Sequence, residues 1–136
     1  MRYNPDAAEQ MLQPGQYAGV VKNATDKVSK SGNDMIELIV TVYGTNGTQV
    51  DVFDYLLSTD QWQWKVRHFC ESAGIDYAKG ELTSDECVDQ NVKVNVAIDK
   101  GKDGYADKNK IADYLPRATE VVVSNAKPDE DDTIPF

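Results

Sequence analysis

Cysteine, histidine and long apolar runs are all scarce in this chain. It has two cysteines, Cys70 and Cys87, and one histidine, His68. A zinc site normally takes four ligands, so these three fall short unless carboxylates join them, and a buried helical cysteine is the expected role of Cys70. Two cysteines form no disulfide framework and fit a reducing compartment. His68 and Cys70, two residues apart on a helix, point apart and make no catalytic pair. No apolar stretch approaches the ~20 residues that a membrane span needs. The polar start "MRYNPDAAEQ" is unlike a signal peptide. No glycine-rich phosphate loop is present, because "GKDG" and "KSGN" lack the spacing and helix context. Acids are plentiful, but no spaced set marks a two-metal nuclease. These absences predict a soluble cytoplasmic protein that is not an enzyme and carries no metal or cofactor.

What is present suits one domain. The chain has 136 residues, 40% hydrophobic and 27% charged, long enough for one core. Its net charge is −9, from 14 bases and 23 acids. Residues 119–136 hold one base, Lys127, against five acids, Glu120 and Asp129 to Asp132. The body still carries 13 bases against 18 acids. Such an excess argues against indiscriminate nucleic-acid binding, so local placement of the bases decides the matter.

Residues 1–14 read as an irregular arm and Pro14-Gly15 as a turn. A first strand is expected over about Gln16 to Ala24, with "TDKVSKSGND" as a loop. In "MIELIVTVY", Ile36, Leu38, Val40 and Val42 share one face, a period of two. "GTNG" signals a hairpin, and a third strand follows from about Thr48 to Leu56. Val50 and Val52 point inward there, Phe53 and Tyr55 outward. Ser58 with Gln61 matches a capping box and should start a helix. Its apolar stripe is Trp62, Val66, Phe69 and Ala73, and Gly74 is its expected C-cap. "NVKVNVAID" alternates with Val92, Val94, Val96 and Ile98 inward. A last strand lies within Tyr105 to Leu115.

Three strands, a helix and two strands is the order of the five-stranded OB-fold barrel. The expected fold is therefore all-β with one helix, an OB-fold domain over residues 15–118, and a linker with a disordered acidic tail over 119–136. OB-folds bind oligonucleotides on strands 2 and 3, between the loops joining strands 1–2 and 4–5. Lys22, Lys27 and Lys30 fall at the first loop, and Lys100, Lys102, Lys108 and Lys110 at the second. Lys93 falls on the outer face of strand 4. These are candidate phosphate contacts, although Asp99, Asp103 and Asp107 interleave with the second group. Tyr43, Phe53 and Tyr55 are candidates for base stacking. The bland alternative is that the lysines are ordinary loop residues and the aromatics are covered core.

The stretches "YNPDAAEQMLQPGQYAGVV", "VSKSGNDMIEL", "DYL", "WKVRHFCESAG" and "DKNKIADYLP" resemble a family of small phage and prophage proteins. The resemblance spans roughly Tyr3 to Pro116. It implies an OB-fold protein that binds single-stranded DNA in replication, recombination or repair, in the host cytoplasm if phage-encoded. Separately, "DDTIPF" is similar to the acidic tip of bacterial single-stranded DNA-binding proteins, with Thr133 in place of the last acid. That similarity implies docking of partner enzymes through Asp129, Glu130, Asp131, Asp132, Ile134, Pro135 and Phe136. Ile134 and Phe136 would anchor in an apolar pocket, while Pro135 limits the disorder lost on docking. The rival expectation is a protein-binding OB module or acidic adaptor that mimics DNA and binds no strand. Oligomeric state is left open, a homo-oligomer included.

Overall fold

Alternating apolar residues set the sheet. The structure is a computed structural model that describes residues 1, 11–44, 47–101, 104 and 107–118. Its strands are β1 (Gly15–Val28), β2 (Asp34–Tyr43), β3 (Gln49–Leu57), β4 (Asn91–Asp99) and β5 (Lys108–Leu115). Helix α1 (Gln63–Ala73) and the one-turn α2 (Ser84–Cys87) lie between β3 and β4. All strand pairs are antiparallel, in one open sheet of order β3-β2-β1-β4-β5. The sheet curls until β3 and β5 approach each other, which makes it barrel-like.

The inward residues are those that the period of two selects. Val21, Leu38, Val40, Val42, Val92, Val94 and Val96 are almost wholly buried, each worth about 1.5–3 kcal/mol relative to exposure. Ile98, expected inward with them, is only partly buried. Gly19 marks a close approach in β1, where a Cβ would sit 2.9 Å from the Thr41 carbonyl oxygen. Leu12, just before β1, is also core. Asn109 of β5 holds it by bonding both its N–H (2.8 Å) and its carbonyl (2.9 Å). Leu12 fills the space beside Gly44, where a Cβ would lie 2.5 Å from its Cδ2.

Three local expectations are corrected. Strand β1 runs to Val28 rather than stopping near Ala24, because Asp26, Lys27 and Val28 pair with Ile36, Met35 and Asp34. The loop shrinks to Ser29–Asn33, closed by Ser29 N–H to Asn33 O at 2.8 Å, with Gly32 in the left-handed region at φ 87°. The Ser58 capping box does not form. Ser58 N–H is spent on Asp34 O, and the chain makes a 3₁₀ turn over Asp60–Trp62 before α1. Gln63 Nε2 instead bonds Ser58 O at 2.8 Å. A capping box occurs at Thr83 and Glu86, starting α2.

The buried face of α1 is the third correction. Lys65, Phe69, Cys70, Ser72 and Ala73 are buried, whereas Trp62 and Val66 are only partly so. Ser72 Oγ accepts from Lys93 N–H (2.8 Å) and donates to Lys93 O (3.2 Å), fastening α1 to β4. Gly74 ends the helix at φ 78°, as expected of a C-cap. Lys102, residues 119–126 and the tail residues Asp129 to Phe136 lie outside the described residues.

Candidate nucleic-acid interface

The outer face of the β1–β2–β3 meander has a legible row structure. In an antiparallel ladder, paired residues project to the same side. The register gives four successive rows: Val20, Thr41 and Asp51; Asn23, Ile39 and Phe53; Thr25, Glu37 and Tyr55; and Lys27, Met35 and Leu57. Lys22 sits at an irregularity between Val21 and Asn23. A bulge there inserts an extra residue and re-aims its side chain, which brings Lys22 to Asp51 of β3.

Phe53 and Tyr55 occupy the middle rows. They are 59% and 42% exposed, although both are large and apolar. Two residues apart on one strand, they stand about 7 Å from each other along the chain. Ile39 and Met35 of β2 lie beside them, half-buried. A flat apolar strip of this kind is what stacking of successive bases requires.

Each end of the strip carries an ion pair. Lys22 Nζ meets Asp51 Oδ2 at 2.8 Å, and Asp51 Oδ1 accepts from Thr41 Oγ1 at 2.8 Å. These bonds, Lys22 first and Thr41 second, hold the Asp51 carboxyl below the usual carboxylate range. Lys27 Nζ meets Glu37 Oε1 at 2.9 Å. That contact lowers Glu37 and raises Lys27, and the Tyr55 hydroxyl also favours ionised Glu37. Neither carboxylate stood out in the sequence as part of the face. The signal was there: Glu37 and Asp51 each fall two positions from an outward residue, Ile39 and Phe53 respectively.

The remaining candidates are dispersed. Lys30 lies in the short β1–β2 turn and is exposed. Tyr43 is half-buried at the far end of β2, four residues from Ile39 and in register with Ala18 and Gln49. Lys93 is half-buried across Ala18 from it, and its Nζ donates to the Arg117 carbonyl at 3.0 Å. Lys100 pairs with Asp107 at 3.3 Å; a bond from Gly101 N–H, then that lysine, lowers the Asp107 carboxyl. Lys108 and Lys110 are exposed on β5 and have no carboxylate partner among the described residues. Gly15 pairs with Val96, so Lys100, Lys108 and Lys110 lie toward the start of β1, whereas Lys22 and Lys27 lie in its second half and Lys30 in the turn after Val28. Lys22, Lys27, Phe53 and Tyr55 come together; Lys100, Lys108 and Lys110 do not join them.

The inward side of the sheet carries a second charged cluster. Asp54, on the inward face of β3, accepts from Lys65 Nζ of α1 at 2.7 Å and from the Tyr114 hydroxyl of β5 at 2.7 Å. Lys65 Nζ also reaches the Ile111 carbonyl at 3.4 Å and stands 5.5 Å from the centre of the Trp62 ring. Burial pushes the Asp54 carboxyl up, against the pull of Lys65, and lifts Tyr114 well above its ordinary value. Among the described residues, no backbone ladder joins β3 to β5. This network bridges them instead.

The cysteines are buried and free. Burial drives the Cys87 thiol up to about 12, which leaves it without thiolate character at neutral pH. Among the described residues, no helix is long and apolar enough to cross a membrane. No protein-family model matches the chain, and a search of curated proteins finds no significant match.

Proposed function

We propose that this is a phage-type single-stranded DNA-binding protein. It coats and protects strands during replication or recombination and recruits partner enzymes through its acidic C-terminal tip. The observation that carries the reading is the exposed pair Phe53 and Tyr55, side by side on β3 and flanked by Lys22 and Lys27. Exposing two aromatic rings on a sheet face forgoes the burial that would stabilise the fold, and stacked bases would recover it. Stacking is worth about 1–3 kcal/mol per base and tolerates any sequence.

The sheet supports an OB-type barrel as the finer description. Strand β1 is shared between β2 and β4, and the helix falls between β3 and β4, the arrangement in which strands 2 and 3 form the binding face. Lys30, Lys93, Lys100, Lys102, Lys108 and Lys110 extend the proposal as outlying phosphate contacts, and Tyr43 as an outlying stacking ring. The resemblance of the tip to bacterial binding proteins supports docking by Ile134, Pro135 and Phe136, with Asp129 to Asp132 steering toward basic surfaces.

Fluorescence titration with labelled oligothymidine tests this. Binding is expected at low salt, weakening as salt rises, and with preference over duplex. No binding at low salt, with or without the tail, would overturn the reading. Deleting Asp129 to Phe136 should leave or raise DNA affinity and abolish capture of partner enzymes. Loss of DNA binding on that deletion would refute the role given to the tail. The pairing of Lys22 and Lys27 with carboxylates favours one other reading, an acidic adaptor that binds protein. The same titration separates the two.

A further inference from the structure

The strip around Phe53 and Tyr55 is bracketed by two cations and two anions. Lys22 holds Asp51 at 2.8 Å and Lys27 holds Glu37 at 2.9 Å. The face is thus locally neutral, although its lysines alone would attract any polyanion. We propose that Asp51 and Glu37 are specificity determinants that make this face reject duplex nucleic acid. This rests on the reading of the face as a single-strand-binding surface.

The argument is one of differences. A phosphate that approaches Lys22 or Lys27 meets a carboxylate within hydrogen-bond distance of the same ammonium. It must displace that carboxylate or accept its repulsion. Asp51 is not easily displaced, because Thr41 Oγ1 anchors its second oxygen at 2.8 Å. Glu37 is the less exposed partner of its pair and stands directly across from Tyr55 in the ladder. Both acids are therefore fixed features of the face. Duplex DNA offers this surface phosphates and hides the faces of its bases. With both lysines already neutralised, it gains almost nothing. A single strand can lay bases on Phe53 and Tyr55 and gains stacking. Specificity commonly depends on such an element that repels the wrong ligand.

The test compares the full chain with its Asp51→Asn/Glu37→Gln variant, each titrated with a labelled duplex and with labelled oligothymidine over a salt series. Each substitution is also made singly, so that one poorly folded protein does not remove the comparison. A Glu81→Gln/Asp85→Asn variant changes net charge equally at exposed positions that hold no cation among the described residues. Freeing two lysines should steepen the log–log salt slope by about 0.9 per lysine for duplex and about 0.7 for single strands. Duplex binding should rise more than single-strand binding, so the preference narrows, and the control should not reproduce this. An unchanged duplex affinity and slope, or an equal gain in the control, would overturn the proposal. Failure of the unaltered protein to bind oligothymidine would count against the functional reading instead. The duplex comparison would still decide whether these carboxylates repel polyanions.

Discussion

Lysine meets aspartate at almost the same distance in two regions of this protein, at 2.8 Å between Lys22 and Asp51 and 2.7 Å between Lys65 and Asp54. The first pair lies on the outer face, with side chains 60% and 39% exposed; the second lies between sheet and helix, at 6% and 10%. Geometry does not distinguish them, but solvent does. An exposed pair contributes about 0–1 kcal/mol and is screened by salt. A buried pair is held because either charge alone would be stranded. The outer pair is thus suited to meeting a ligand. The inner one substitutes for the missing ladder between β3 and β5. The carboxyl groups also shift oppositely, Asp51 downward through its bonds to Lys22 and Thr41, Asp54 upward through burial.

The largest effect should follow from breaking the inner pair. Lys65→Met leaves the Asp54 carboxylate buried with Tyr114 as its remaining side-chain partner. The expected loss is about 3–5 kcal/mol at neutral pH, read by urea denaturation. With the lysine gone, the Asp54 value rises further. A carboxyl whose folded value is raised favours the folded state below its unfolded value, and that advantage is lost as pH rises through the folded value. The variant should therefore recover stability as pH falls from neutral toward about 4. Adding Asp54→Leu should restore most of the loss, since apolar replacements of a buried pair are often neutral or stabilising. A Lys65→Met protein as stable as the parent would show that the seam does not depend on this pair.

Next in size is the strip itself. Phe53→Ala and Tyr55→Ala should each cost about 1–3 kcal/mol of single-strand binding while leaving the denaturation midpoint little changed, because both rings are exposed. The contrast with Lys65 is the point: inner residues move stability, outer residues move binding. If Phe53→Ala unfolds the protein and leaves oligothymidine binding intact, the ring is structural and the comparison fails.

Much of the scaffold was legible because alternation is a strong signal. The stretch Asn91–Asp99 was read residue for residue as β4, and the outward placement of Phe53 and Tyr55 followed from Val50 and Val52 pointing inward. Legibility ended where neighbours decide. Thr25 to Val28 are exposed on both faces, so no periodicity marked them, and only pairing with β2 makes them strand. Lys65 lay between Trp62 and Phe69 on the apolar side of α1. A lone charge there is normally assigned to solvent, and its partner was eleven residues back on another element. Continuing the alternation through Asp54 would have placed an acid inside, and a buried acid calls for a cation. The pairs at Asp51 and Glu37 needed the strand register and the bulge at Lys22, neither of which a single sequence fixes.

The smallest expected effect sharpens the comparison most directly. A double-mutant cycle on Lys22→Ala and Asp51→Ala should give a coupling of about 0.2–1 kcal/mol in stability, fading as salt rises. Its pH dependence should run opposite to that of the buried pair. Asp51 is held below its ordinary value, so its contribution is present above about 3.9 and is lost as pH falls through the depressed folded value. The coupling should hold through the neutral range and collapse only in strong acid, whereas the Lys65→Met penalty should already be relieved above that. A coupling as large as the inner pair's would mean that Asp51 is a structural anchor. A phosphate would then have to break the fold's own bond to reach Lys22, and that lysine would leave the binding surface.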